Sequence, residues 1–118
     1  MPASGEENEF VSHVLDLMQS LGQVRARRMF GGYGIFLDRL MFALIADETL
    51  YLKADQKSAN AFKARGLEAF SYYKKGRKYS MSYFQAPEQT LEHPEAMSDW
   101  ANMAYAAATR SASEKNKN

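Results

Sequence analysis

Between Val24 and Asp55 the chain breaks into short runs of aromatic and aliphatic residues. Each run is long enough for one strand, and the runs are separated by the turn formers Gly31-Gly32, Asp38-Arg39 and Asp47-Glu48-Thr49. Connections this short can only fold the chain back on itself, so the stretch predicts a meander of antiparallel strands. In Leu50 to Lys53, Leu50 and Leu52 point to one side and Tyr51 and Lys53 to the other, as a half-buried strand requires. Leu40 to Ala46 is apolar on both faces, which predicts a central strand or one lying against a partner.

Helical periodicity flanks this region. Phe10, Val14, Leu17, Met18 and Leu21 recur at the spacing of one helix face, predicting a helix from about Glu9 to Leu21 that Gly22 stops. A second helix is expected to begin near Asp55, a good N-cap, to turn Ala59 and Phe62 inward and to end at Gly66. Two more strands follow, Ala69 to Tyr73 and Lys78 to Gln85, joined by the turn Lys74-Lys75-Gly76-Arg77, and Pro87 closes the sheet region. Pro94 opens a last helix running to about Arg110, with Met97, Trp100, Ala101, Ala104 and Ala108 as its inward stripe. The expected fold class is α+β, a two-layer sandwich of order α-β(4)-α-β(2)-α. It forms one domain over residues 9–110, between flexible tails at 1–8 and 111–118.

A chain of 118 residues, 46% apolar and 25% charged, carries one core and is neither disordered nor a coiled coil. With no cysteine, disulfides, thiolate catalysis and thiolate metal sites are excluded. The N-terminus is acidic where a signal peptide is basic, and the longest apolar run, Leu40 to Ala46, is too short to span a membrane. A cytoplasmic protein with no membrane partner is expected.

No catalytic constellation emerges. Gly31-Gly32-Tyr33-Gly34 invites comparison with phosphate loops, but it lacks their spacing and leads into a strand, so a tight turn or bulge needing positive φ is expected. His13 and His93 are too far apart in sequence for a helical metal pair. Lys53 and Asp55 share a strand face and could pair as base and orienter, but a lone Lys/Asp pair is weak evidence of chemistry, and Ser80 and Ser82 have no histidine near them in sequence. Neither an enzyme, a metal nor a cofactor is expected.

Interaction residues are easier to find. Net charge is +1, yet Arg25, Arg27 and Arg28 form one basic cluster and Lys74, Lys75, Arg77 and Lys78 another. Whether the two meet in space decides if they make one patch. The tyrosines and phenylalanines are too numerous for every ring to be buried in so small a core, so some reach the surface, where a ring beside a cation can stack a base or anchor a protein. Tyr33, Tyr51 and Lys53 join the seven cationic residues as candidates.

Met29-Phe30-Gly31-Gly32-Tyr33-Gly34-Ile35-Phe36 and Leu50-Tyr51-Leu52-Lys53-Ala54-Asp55 together resemble the signature of the TfoX (Sxy) N-terminal domain family, which includes bacterial regulators of natural competence. The resemblance extends from Phe10 to about Ala108. It takes in Met41-Phe42-Ala43-Leu44-Ile45-Ala46-Asp47, Met81-Ser82-Tyr83-Phe84 with Pro87, and the helix bearing Trp100. It implies a secretion-chaperone-like, TfoX N-terminal-like fold, a meander backed by helices, and brings no catalytic residues with it. Full-length competence regulators of the family carry a second, helical C-terminal domain, so the resemblance implies an N-terminal domain on its own. Asp38-Arg39 stands where many relatives have Asp-Gly, which implies a less tight hairpin, and Phe84 replaces a more usual tyrosine. The function implied is a non-enzymatic regulatory or adaptor domain that binds a protein, of the transcription machinery or a second copy of itself. The alternative is direct nucleic-acid binding through the basic segments.

Overall fold

A computed structural model describes residues 5–29 and 31–115. Helix α1 (Gly5–Leu17) and a 3₁₀ turn (Gln19–Leu21) lead into four strands, β1 (Arg25–Met29), β2 (Gly32–Leu37), β3 (Leu40–Ala46) and β4 (Thr49–Lys53). Helix α2 (Ala59–Lys63), strands β5 (Ala69–Lys74) and β6 (Arg77–Gln85), a second 3₁₀ turn (Glu88–Leu91) and helix α3 (Pro94–Lys115) complete the expected order.

Boundaries differ at both ends and at α2, which begins at Ala59 after Ser58 rather than near Asp55 and stops at Lys63, short of Gly66. Helix α1 starts before Glu9 and stops at Leu17, because the Met18 N–H is shared between the carbonyls of Val14 and Leu15 and the chain tightens into the 3₁₀ turn. Helix α3 continues past Arg110 to Lys115. Residues 5–8 and 111–115, expected in tails, are therefore helical, while 1–4 and 116–118 lie outside the described residues.

The six strands form one antiparallel sheet in the order β1-β2-β3-β4-β6-β5. The meander covers the first four, and β6, not β5, pairs with β4, leaving β5 at the edge. Among the described residues three connections are two-residue reversals with both central residues at positive φ: Asp38-Arg39, Asp47-Glu48 and Lys75-Gly76. That is the turn whose twist matches a right-handed strand pair. The Asp38-Arg39 hairpin is thus tight, with Leu37 paired directly to Leu40, and the looser hairpin implied by the missing glycine does not form. Instead Arg39 takes φ 69°, a conformation that side chains beyond glycine adopt at a cost.

All helices pack on one face of the sheet. Val11, Val14 and Met18 of α1, Phe62 of α2 and Met97, Ala101, Ala104 and Ala108 of α3 join Ile35, Phe42, Ala43, Ile45, Leu50 and Leu52 in one core. Phe42 and Ala43 both face the helices because β3 carries one extra residue opposite Ile35 and Phe36, a bulge. The Phe62 ring stacks on Phe84 at 5.3 Å and meets Trp100 edge-on at 5.1 Å, anchoring α2 between β6 and α3.

Candidate functional site

The opposite sheet face carries no helix among the described residues. Register places Arg27, Gly34, Leu44, Tyr51 and Gln85 in one row across it, and Arg25, Phe36 and Met41 in a neighbouring one. Met29, Phe36 and Met41 converge over Gly34: a Cβ built there would lie 2.6 Å from Met29 Sδ, 2.9 Å from Phe36 Cε1 and 3.1 Å from Met41 Sδ. Leu44 beside them is fully buried without belonging to the helix-facing core, whereas Met29, Phe36, Met41 and Tyr51 stay half-exposed.

The glycine motif therefore works differently from the turn expected of it. Only Gly31 has positive φ among its described residues, at 78°. Gly32 and Gly34 lie within β2. Gly32 is needed because a side chain there would collide with the Ile45 carbonyl oxygen of β3, and Gly34 leaves the room that the Met29, Phe36 and Met41 side chains fill. Phe30 lies outside the described residues.

The candidate residues divide among several places. Tyr51 and Lys53 point to the open face; the Tyr51 ring meets Phe70 at 5.0 Å, and Lys53 Nζ lies 5.2 Å from the centre of the Tyr83 ring. Burial pushes the Tyr51 hydroxyl pKa up, with Asp47 and Glu68 adding to the effect, and burial alone does so for Tyr83. Tyr33 is only 8% exposed, on the helix face, with the Arg28 guanidinium 5.7 Å from its ring centre, so it is a packing residue. Arg25 and Arg27 point to the open face and Arg28 to the other, which splits the β1 cluster. Lys74, Lys75, Arg77 and Lys78 lie at the tip of the β5–β6 hairpin, at the opposite edge of the sheet with β2, β3 and β4 between. The two basic clusters do not meet.

Asp55, the last residue of the Leu50-to-Asp55 motif, is a structural clasp. Its Oδ1 accepts from the Lys57 N–H at 3.1 Å and the Ser58 N–H at 3.2 Å, and Ser58 Oγ accepts from the Asp55 N–H at 3.0 Å, a reciprocal cap on the turn entering α2. Arg110, from the far end of α3, donates through Nε to Oδ2 at 2.6 Å and through Nη2 to Oδ1 at 3.0 Å. These charge-assisted bonds hold the Asp55 carboxyl well below the usual carboxylate range and push Arg110 up in turn. Nothing in the sequence pairs residues 55 positions apart.

Sequence reasoning also missed a contact at Ser82, whose Oγ accepts from Lys53 Nζ at 2.6 Å. A donating ammonium holds the hydroxyl rather than taking its proton, so the arrangement orients Ser82 without activating it. Next to it an open cleft of about 900 Å³ runs between the start of α2 and the end of α3, lined by Lys57, Lys63, Phe84 and the Asp55–Arg110 pair. His13 Nε2 donates to the Leu91 carbonyl at 2.7 Å, tying α1 to the turn before α3. No metal-ligand cluster occurs among the described residues, and none of their helices is long and apolar enough to cross a membrane.

A single antiparallel sheet with the described helices on one face, an open face built around a glycine and a projecting hairpin arm defines a small two-layer α+β domain. The chain belongs to the TfoX N-terminal domain family, whose sequence profile matches residues 16–108. It is 28% identical over 92 residues to the DNA transformation protein TfoX1 of Aliivibrio fischeri (strain ATCC 700601 / ES114), covering 78% of this chain and 44% of that protein. To Protein Sxy of Escherichia coli (strain K12) it is 30% identical over 73 residues, covering 62% of this chain and 35% of Sxy. The chain thus spans less than half the length of either relative.

Proposed function

We propose that this chain is a non-enzymatic regulatory domain, related in role to the regulators of natural competence, that works in the cytoplasm by holding a protein of the transcription machinery against its open sheet face. Family membership and the similarity to TfoX1, a DNA transformation protein, support the regulatory part. One observation carries the partner: Met29, Phe36 and Met41 converge over Gly34 on a face no described helix covers. Unbranched, polarisable methionines repack readily against a foreign surface, and the family motif spends a glycine on making space for them. A half-exposed apolar patch of this kind fits a protein partner better than an anionic one.

A second copy joined edge to edge fits less well. Antiparallel self-pairing of β1 centred on Arg27 sets that arginine against itself, and like charges directly opposite are unfavourable. The test is expression of the chain, wild type and Met41→Asp, in a naturally competent bacterium whose own family member has been deleted. Transcripts of DNA-uptake genes should respond to the wild type and not to the variant, with circular dichroism confirming that both are folded. Equal responses, or none from the wild type, would retire the proposal, and sedimentation of the purified chain distinguishes a self-associating face from a hetero-partner.

A further inference from the structure

We propose that the β5–β6 hairpin is a nucleic-acid arm that docks as a two-stranded ribbon in the groove of duplex DNA. Of the nine residues of β6, only the last three pair with β4, and every residue from Tyr72 to Ser82 is exposed. The Ser82 carbonyl still accepts from the Ala54 N–H at 2.9 Å, so the ribbon leaves the body at residue 81. Its five free residues on β6 extend about 16 Å at the usual strand rise. All four exposed large apolar side chains among the described residues are on it: Tyr72, Tyr73, Tyr79 and Met81.

Residues 69–85 contain Lys74, Lys75, Arg77 and Lys78 and no acidic residue. With the chain at +1 and the arm at +4, everything else carries −3. The molecule is therefore polarised, with its net positive charge at the arm and a net negative charge on the remainder. The arm is about twice the Debye length of roughly 8 Å at physiological salt, so the tip reaches a phosphate backbone with most of the body's repulsion screened. Charge complementarity singles out an anionic partner, and the ribbon shape selects among anionic partners: a two-stranded ribbon fits the duplex major groove, about 12 Å wide. Register puts Ser71, Tyr73, Lys78 and Ser80 together on one ribbon face, a row of hydrogen-bonding groups suited to a groove. On the other face the Tyr72 and Tyr79 rings stack at 5.6 Å, and Phe70 links them to Tyr51 of the body, which stiffens a hairpin otherwise marginal on its own. This arm is separate from the face proposed for the protein partner, so either proposal stands without the other.

The experiment is fluorescence anisotropy of a labelled 20-base-pair duplex of mixed sequence with the purified full chain, between 25 and 250 mM NaCl. Four phosphate contacts give log K against log salt a slope near −3.6. Replacing all four cations (Lys74→Gln, Lys75→Gln, Arg77→Gln, Lys78→Gln) should weaken binding at least about 100-fold at 100 mM salt, whereas Arg25→Gln, Arg27→Gln and Arg28→Gln together should change it less than about threefold. Circular dichroism checks folding, and the Lys74→Glu, Lys78→Glu pair replaces the fourfold variant if that one does not fold. Absence of binding at 25 mM salt, equal loss in both variants, tighter binding to the single strand, or capture of polyglutamate in place of the duplex would each overturn the proposal.

Discussion

Removing the Asp55 carboxylate should destabilise the domain by an amount the clasp geometry sets. In Asp55→Ala the Lys57 and Ser58 amides and the Ser58 hydroxyl all lose the acceptor they now share, and Arg110 loses both of its bonds. With three donors of one turn orphaned at a carboxylate only 19% exposed, the cost belongs at the upper end of the range for helix caps, about 2 kcal/mol. For a domain near 100 residues that lowers Tm by about 8 °C. Asp55→Asn keeps an oxygen for the turn and should cost less than about 1 kcal/mol. The charge has a separate mark. Because folding depresses the Asp55 pKa, its contribution is fully present above the unfolded carboxyl pKa near 3.9 and is lost as pH falls below that toward the folded value. The difference between wild type and Asp55→Asn should therefore shrink between about pH 4 and pH 2. Thermal unfolding followed by circular dichroism and by the single tryptophan, Trp100, reads all of this. Equal losses in the Ala and Asn variants, or a wild type to Asn gap that does not change with pH, would refute the account of the clasp.

Other consequences are as direct. Gly32→Ala forces a methyl against the Ile45 carbonyl and must part β2 from β3, costing about 3 kcal/mol or more in urea unfolding, while Gly34→Ala meets only movable ends of Met29, Phe36 and Met41 and should cost about 1 kcal/mol or less. A similar loss from both would mean that backbone approach does not govern the motif. Arg39→Gly relieves a residue held at φ 69° and should raise stability by about 0.5–1 kcal/mol after allowing for the looser unfolded chain, seen as a higher urea midpoint; a lower midpoint would show that the Arg39 side chain matters more than its backbone.

The two basic segments, legible as clusters, illustrate how far a linear reading reaches. Their separation depends on the strand order β1-β2-β3-β4-β6-β5, which sets the β5–β6 hairpin beside β4 rather than beside β1, a choice no local pattern encodes. The burial of Tyr33 is likewise tertiary: alternation says that it shares a face with Ile35, but only the position of the helices says that this face is the buried one.

What the sequence determined by itself is what depends on neighbours within a few residues. The order of elements, the places where the chain reverses (though not how tightly at Asp38-Arg39), the buried set Leu50 and Leu52, and the cap at Asp55 all follow from period, propensity and turn chemistry. Tertiary structure alone decided which atoms from distant segments meet. Arg110 finds Asp55, His13 finds Leu91, Lys53 finds Ser82, and Gly32 admits the Ile45 carbonyl. The physical reason is that local preferences limit φ and ψ residue by residue, whereas close approach across 13 to 78 residues is fixed only when one core packs and the sheet closes its register.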